Sequence, residues 1–149
     1  MTQTRGTMPD GGFSPLAPEL LVTALPPSLQ FWCDLVGFTP AYTRPEEGFA
    51  YLQHPDGAQI MLSRRSGAWE AAPMVAPFGR GVLFQIVVRD LDPVIARCTA
   101  TGHPLYLAER EVWRAHGDRE GGRREIALQD PDGYLLLVCQ QIGFRPLPA

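Results

Sequence analysis

His54-Pro55-Asp56-Gly57 and Asp130-Pro131-Asp132-Gly133 decide how this chain is read. Each is a tight turn set between apolar runs. Proline presets φ at the second position, and glycine supplies the positive φ that closes the turn. Residues 48–54 and 58–63 flank the first turn, and residues 125–128 and 134–140 flank the second, so each predicts an antiparallel hairpin. Ahead of the first hairpin, residues 19–23 read as a buried strand. Pro26-Pro27-Ser28 opens a helix, since proline is tolerated in a first turn. Leu29, Trp32, Leu35 and Val36 recur at helical spacing, Gly37 ends the helix, and residues 38–43 read as a strand. The same order precedes the second hairpin. Residues 82–88 form a strand, Asp90 caps a helix carrying Val94, Ile95 and Cys98, Gly102 ends it, and residues 105–107 and 112–114 supply strand.

The pattern is therefore an internal duplication. Val22, Leu25 and Leu29 stand 66 positions before Val88, Leu91 and Ile95, whereas Gly57 stands 76 before Gly133. A longer loop at residues 115–124, containing Gly121-Gly122, accounts for the growth. The fold class is α+β, two tandem βαβββ modules at residues 19–65 and 82–142 joined by a connection at 66–81. Residues 1–18, rich in Pro and Gly, read as a flexible arm or strand lead-in, and 143–149 as a tail.

Composition agrees with one folded domain rich in turns. The 149 residues are 45% hydrophobic and 19% charged, with 15 Gly and 15 Pro, which excludes intrinsic disorder. The formal charge of −3 and the absence of a long basic tract argue against a nucleic-acid partner. No apolar run reaches a membrane span, and the first 18 residues lack a signal-peptide segment. Cys33, Cys98 and Cys139 show no C-x-x-C spacing and read as reduced thiols in a cytoplasmic protein.

The runs Pro18-Glu19-Leu20-Leu21-Val22, Ser28-Leu29-Gln30-Phe31-Trp32, Val36-Gly37-Phe38, Val88-Arg89-Asp90-Leu91-Asp92 and Leu128-Gln129-Asp130-Pro131-Asp132-Gly133-Tyr134 resemble the vicinal oxygen chelate superfamily. That group includes glyoxalase I, extradiol dioxygenases, fosfomycin-resistance enzymes and bleomycin-resistance proteins, and the last are the most similar. The resemblance implies curved mixed sheets, a helix on the convex side of each, a cleft enclosed by the concave sides, and a homodimer. It also implies a divalent metal in the enzymes of the group, held by His, Glu or Gln on the first and last strands of each module. Those positions fall here at Ala17, Met61, Leu83 and Leu137, with Glu19 close to the first. One carboxylate does not hold a metal. His54, His103 and His116 read as turn or surface residues. The expectation is no catalytic residue, no metal and no cofactor.

Alternation puts Leu83, Gln85 and Val87 on one strand face and Glu19, Leu21 and Thr23 on its counterpart. With Met61 and Leu137 the cleft is mostly apolar, the profile of a small-molecule site. Trp32 reads as core or as a ligand contact. Trp69 and Trp113 read as stacking groups or dimer anchors. Arg124 reads as a ligand contact or as an ion-pair partner of a nearby glutamate. The candidate ligand-binding set is Glu19, Trp32, Met61, Trp69, Gln85, Trp113 and Arg124. The resulting expectation is a metal-independent protein that binds and sequesters a drug-like aromatic or cationic molecule, as in antibiotic resistance. Two alternatives are an isomerase or lyase of the same superfamily with Glu19 as base, and an interaction module whose cleft its own side chains fill.

Overall fold

The computed structural model describes residues 5–149. The chain divides into two compact units, one running to Phe78 and including the turn Asp130–Gly133, the other holding Gly79–Gln129 and Tyr134–Ala149.

In the first unit β1 (Arg5–Gly6), β3 (Thr39–Arg44), β4 (Phe49–Gln53), β5 (Gln59–Arg64) and β2 (Glu19–Val22) lie side by side in that order. β2 runs parallel to β5 and the other pairs are antiparallel. Between β2 and β3 runs α1 (Leu25–Leu29), prolonged by a π-helical stretch over Gln30–Val36. Pro26 and Pro27 sit where the first amides lack intrahelical partners, and Gly37 closes the helix at φ 111°. One face of the sheet and the helix share a core that includes Val22, Trp32, Val36, Leu52 and Leu62, all fully buried. The Trp32 indole N–H donates to Asp130 Oδ2 at 3.3 Å. The other oxygen of Asp130 accepts the amides of Asp132 and Gly133 at 3.0 and 2.9 Å. One carboxylate thus shapes the second Pro-Asp-Gly turn and satisfies a buried indole, which otherwise costs desolvation without return.

In the second unit β6 (Leu83–Val88), β9 (Leu135–Pro146), β8 (Arg119–Gln129) and β7 (Leu107–His116) form the sheet, with β6 parallel to β9. α2 (Asp92–Thr101) starts where Asp90 Oδ1 accepts the Asp92 amide at 3.0 Å and ends at Gly102, φ 71°. Val88, Leu91, Val94, Ile126, Leu128, Leu136 and Val138 are buried. The βαβββ order of both modules is as the turns and glycines require.

Three expectations change. Residues 5–16 are no free arm. β1 pairs with β3, the Thr7 amide donates to the Ala41 carbonyl, and the Asp10 and Ser14 amides donate to the side-chain oxygens of Gln53 and Gln59. Residues 115–124 are no long loop. β7 and β8 stay paired to His116 and Arg119, so the extra residues lengthen a hairpin. Gly121-Gly122 belongs to β8, where a Cβ on Gly122 would stand 2.7 Å from the Trp113 ring. Glycine is required there by the close approach of an indole, not by a turn. The expected tail is strand as far as Pro146, paired with Arg119.

Candidate functional site

On each sheet the side turned away from the helix has its own chemistry, set by strand alternation. In the first unit that side carries Glu19 opposite Met61, Met61 opposite Tyr51, Tyr51 opposite Tyr42, and Phe49 opposite Arg44. Tyr42 and Tyr51 stack at 5.2 Å with 17° between their planes, and Phe49 lies 5.9 Å from Tyr42. The Arg44 guanidinium stands 4.9 Å from the Phe49 ring centre and 5.5 Å from that of Tyr42. Phe13, brought in by the N-terminal segment, meets Tyr51 and Tyr42 edge-on at 5.4 and 6.4 Å. The segment is fixed by Gln59, whose oxygen accepts from the Ser14 amide and the Tyr51 hydroxyl and whose amide donates to the Gly12 carbonyl. Burial of Tyr51 pushes its hydroxyl pKa up, and neighbouring Tyr42 adds to this.

The seven candidate residues do not form one group. Met61 packs on the aromatic cluster of Phe49, Tyr51 and Tyr42, and Glu19 is exposed opposite it. Trp32 is 0% exposed and belongs to the core, the structural one of its two readings. Trp69 is 86% exposed and sits at φ 62°, a region that bulky residues rarely enter. Its loop is closed by Arg65, which grips both oxygens of Glu70 at 3.0 and 3.1 Å. That hydrogen bond lowers the Glu70 pKa. Trp113 has one ring face against Gly122 and the Arg145 guanidinium 4.1 Å from its ring centre, and its N–H donates to Glu111. Gln85 is exposed on β6 opposite Leu137. Arg124 bonds Asp92 at 2.7 Å, Glu109 at 2.6 Å and Gln140 at 3.3 Å. Gln140 in turn accepts the Leu91 amide, so Arg124 is an ion-pair residue at the start of α2. Two surface hollows of about 230 and 750 Å³ contain none of the seven.

A family model, the Glyoxalase/Bleomycin resistance protein/Dioxygenase superfamily, matches residues 15–138. The chain belongs to this superfamily. Solved structures share its fold. A virulence protein from Salmonella typhimurium is 17% identical with a TM-score of 0.60, covering 87% of this chain and 98% of its own. A protein from the mobile metagenome of V. pseudocholerae is 19% identical at 0.61, covering 88% and 97%. TioX from Micromonospora sp. ML1 is 19% identical at 0.59, covering 85% and 98%. No curated protein matches the chain.

Enzymes of the superfamily are expected to gather metal ligands from paired first and last strands, and the register tests the residues present. Glu19, not Ala17, stands opposite Met61, and Gln85, not Leu83, stands opposite Leu137. Each unit thus offers one oxygen donor beside a thioether or an alkyl group, which does not fit a divalent cation site. Among the described residues no group of three His, Cys, Asp or Glu is placed to hold one. Two of the histidines do other work. His54 Nδ1 accepts the Asp56 amide at 3.1 Å inside the first turn, and His103 Nε2 lies 3.2 Å from the Gln129 carbonyl. The three cysteines are free. Burial raises all three pKa values, that of Cys33 to about 11, so none is an activated nucleophile. Among the described residues no helix is long and apolar enough to cross a membrane.

Residues absent from the sequence-based set stand out. Phe13, Tyr42 and Arg44 complete the aromatic cluster, and the alternation of Arg44 with Tyr42 is the signal that could have found two of them. On the second unit the side away from α2 carries Glu125, 0% exposed, with Arg110 at 2.7 Å and Arg114 at 3.6 Å. The buried Cys139 thiol donates to Glu125 Oε2 at 3.9 Å.

Proposed function

We propose that this superfamily member is a small-molecule-binding protein that holds a planar aromatic ligand without metal-centred chemistry, similar in role to bleomycin-resistance proteins. The observation that carries the reading is the aromatic side of the first sheet, where Tyr42 and Tyr51 stack beside Phe49 and Met61. Such a surface binds flat ligands by stacking and apolar burial, each ring contact contributing ~0.5–1.5 kcal/mol beyond its area. Exposed Glu19 supplies a carboxylate beside Met61 for a ligand that carries a positive group. The poor donor set on the paired strands favours sequestration over metal-assisted turnover.

A second reading is favoured by Phe13, which already packs on both tyrosines. In that reading the N-terminal segment permanently fills the surface, and the protein is an interaction module. Calorimetry of the full chain with bleomycin-type, mitomycin-type and acridine-type ligands separates the two. Binding predicts micromolar affinity, weakened at least tenfold by Tyr42→Ala and strengthened by Phe13→Ala, because the ligand takes the place of that ring. Failure of every ligand to bind either the parent or Phe13→Ala above the millimolar range would leave the filled surface as the better account.

A further inference from the structure

The second unit segregates its charges by side. On β7 and β8, alternation places Arg110, Arg114, His116, Arg119, Arg123 and Glu125 away from α2, and Glu109, Glu111, Glu120 and Arg124 on the other side. The helix-side arginines each have acids of their own. Arg124 has Asp92 and Glu109, and Arg145 on β9 has Glu120 at 2.6 Å. The opposite side carries four arginines and one carboxylate, Glu125, which Arg110 and Arg114 approach. The residues that β9 and β6 add to that side, among them Leu137, Cys139, Gln141, Phe144, Gln85 and Val87, carry no charge. In a chain of net charge −3 this concentrates positive charge at one place.

The guanidiniums are also held in position. Glu125 Oε1 accepts from Arg110 Nε at 2.9 Å and from its terminal nitrogen at 2.7 Å, with Arg114 3.6 Å away. Arg123 stands on the same side, two positions before Glu125 on β8, and Arg119 lies 4.1 Å over the Phe144 ring. Arg110 and Arg114 stay 50% and 51% exposed. A guanidinium has five N–H donors, so each keeps donors for an incoming acceptor. Fixed forks around a buried counter-charge are how proteins recognise carboxylate and phosphate in two-pronged fashion.

We propose that this side of the second sheet binds a small oxyanion, a phosphate or carboxylate group, between Arg110, Arg114 and Arg123, with Glu125 as the residue that positions the forks. The site lies on the second unit, and the proposal does not rest on the function proposed for the first. Its test is titration of the full chain with inorganic phosphate, pyrophosphate and citrate at constant ionic strength, followed by calorimetry, with a single-stranded oligonucleotide as a further arm. Saturable one-to-one binding of at least one small anion is expected. Arg114→Gln and Arg123→Gln should each weaken it at least tenfold with unchanged melting behaviour, Arg114→Lys should weaken it less than Arg114→Gln, and Arg64→Gln on the other unit should leave it unchanged. Three results would overturn the assignment: no saturable binding of any of the three anions, equal losses in Arg64→Gln and Arg114→Gln, or binding of the oligonucleotide alone.

Discussion

One rung of each sheet carries the same arginine and then diverges. In the first unit Arg44, Phe49 and Ser63 lie side by side across β3, β4 and β5; in the second, Arg110, Glu125 and Cys139 lie across β7, β8 and β9. Arg44 rests over the face of Phe49, and Arg110 pairs with the carboxylate of Glu125. Two copies of one topology therefore keep a cation at the same place and give it unlike partners, a ring quadrupole and a buried charge. The lesson is that the duplicated backbone sets where groups stand, while the side chains on the rung set what each surface can recognise. The first surface is aromatic and overlain by Phe13; the second is basic.

Substitutions on that rung separate the two chemistries. Phe49→Ala should have the largest effect, ~3–5 kcal/mol in denaturant unfolding, because it removes a buried aromatic and leaves a cavity. Arg110→Gln should cost about 1–3 kcal/mol, since the carboxyl of Glu125 stays buried and is left with Arg114 at 3.6 Å as a weaker partner. Arg44→Gln should cost only ~0.5–1 kcal/mol, the worth of a partly exposed cation–π contact. If Arg44→Gln proved as damaging as Arg110→Gln, the contrast between ring and carboxylate would be wrong.

The smallest effect concerns the loop closed by Arg65 and Glu70. The Arg65 hydrogen bond holds the Glu70 carboxyl below its ordinary value of 4.5. A depressed folded-state pKa stabilises the closed loop above the unfolded value and loses that contribution as pH falls through the folded value. Amide exchange at residues 66–69, corrected for intrinsic rate, should therefore rise only below about pH 4.5, and Glu70→Gln should abolish that pH dependence.

Much of the fold was legible because its punctuation is local. The Pro-Asp-Gly turns, the glycines ending both helices and the spacing of Trp32 with Leu35 and Val36 each act within a few residues. Two features were not legible, for different reasons. The attachment of residues 5–16 depends on backbone pairing with β3 and on Gln53 and Gln59, more than 40 positions away, and no periodicity announces such bonds. The long hairpin was hidden by Gly121-Gly122, which reads as a loop until the Trp113 ring is seen occupying the space. With the hairpin went the sheet side that Arg110, Arg114, Arg123 and Glu125 share, so the candidate site named Arg124, their neighbour on the opposite side. Met61 and Glu19 were reachable because the duplication marks their positions, and Tyr42 through its alternation with Arg44, whereas Phe13 enters through partners that the sequence does not pair.

The methyl group of Met61 offers the most direct test, because it sits against the aromatic cluster. The chain, freed of divalent ions with chelator and labelled at its methionine methyls, would be titrated with the tightest planar ligand from the calorimetric panel. Stacking on Tyr42 and Tyr51 predicts a saturable ring-current shift of the Met61 resonance, with Met74 unmoved and no requirement for added metal. A Met61 signal that stays still while ligand binds, or binding that returns only with a stoichiometric divalent cation, would contradict it.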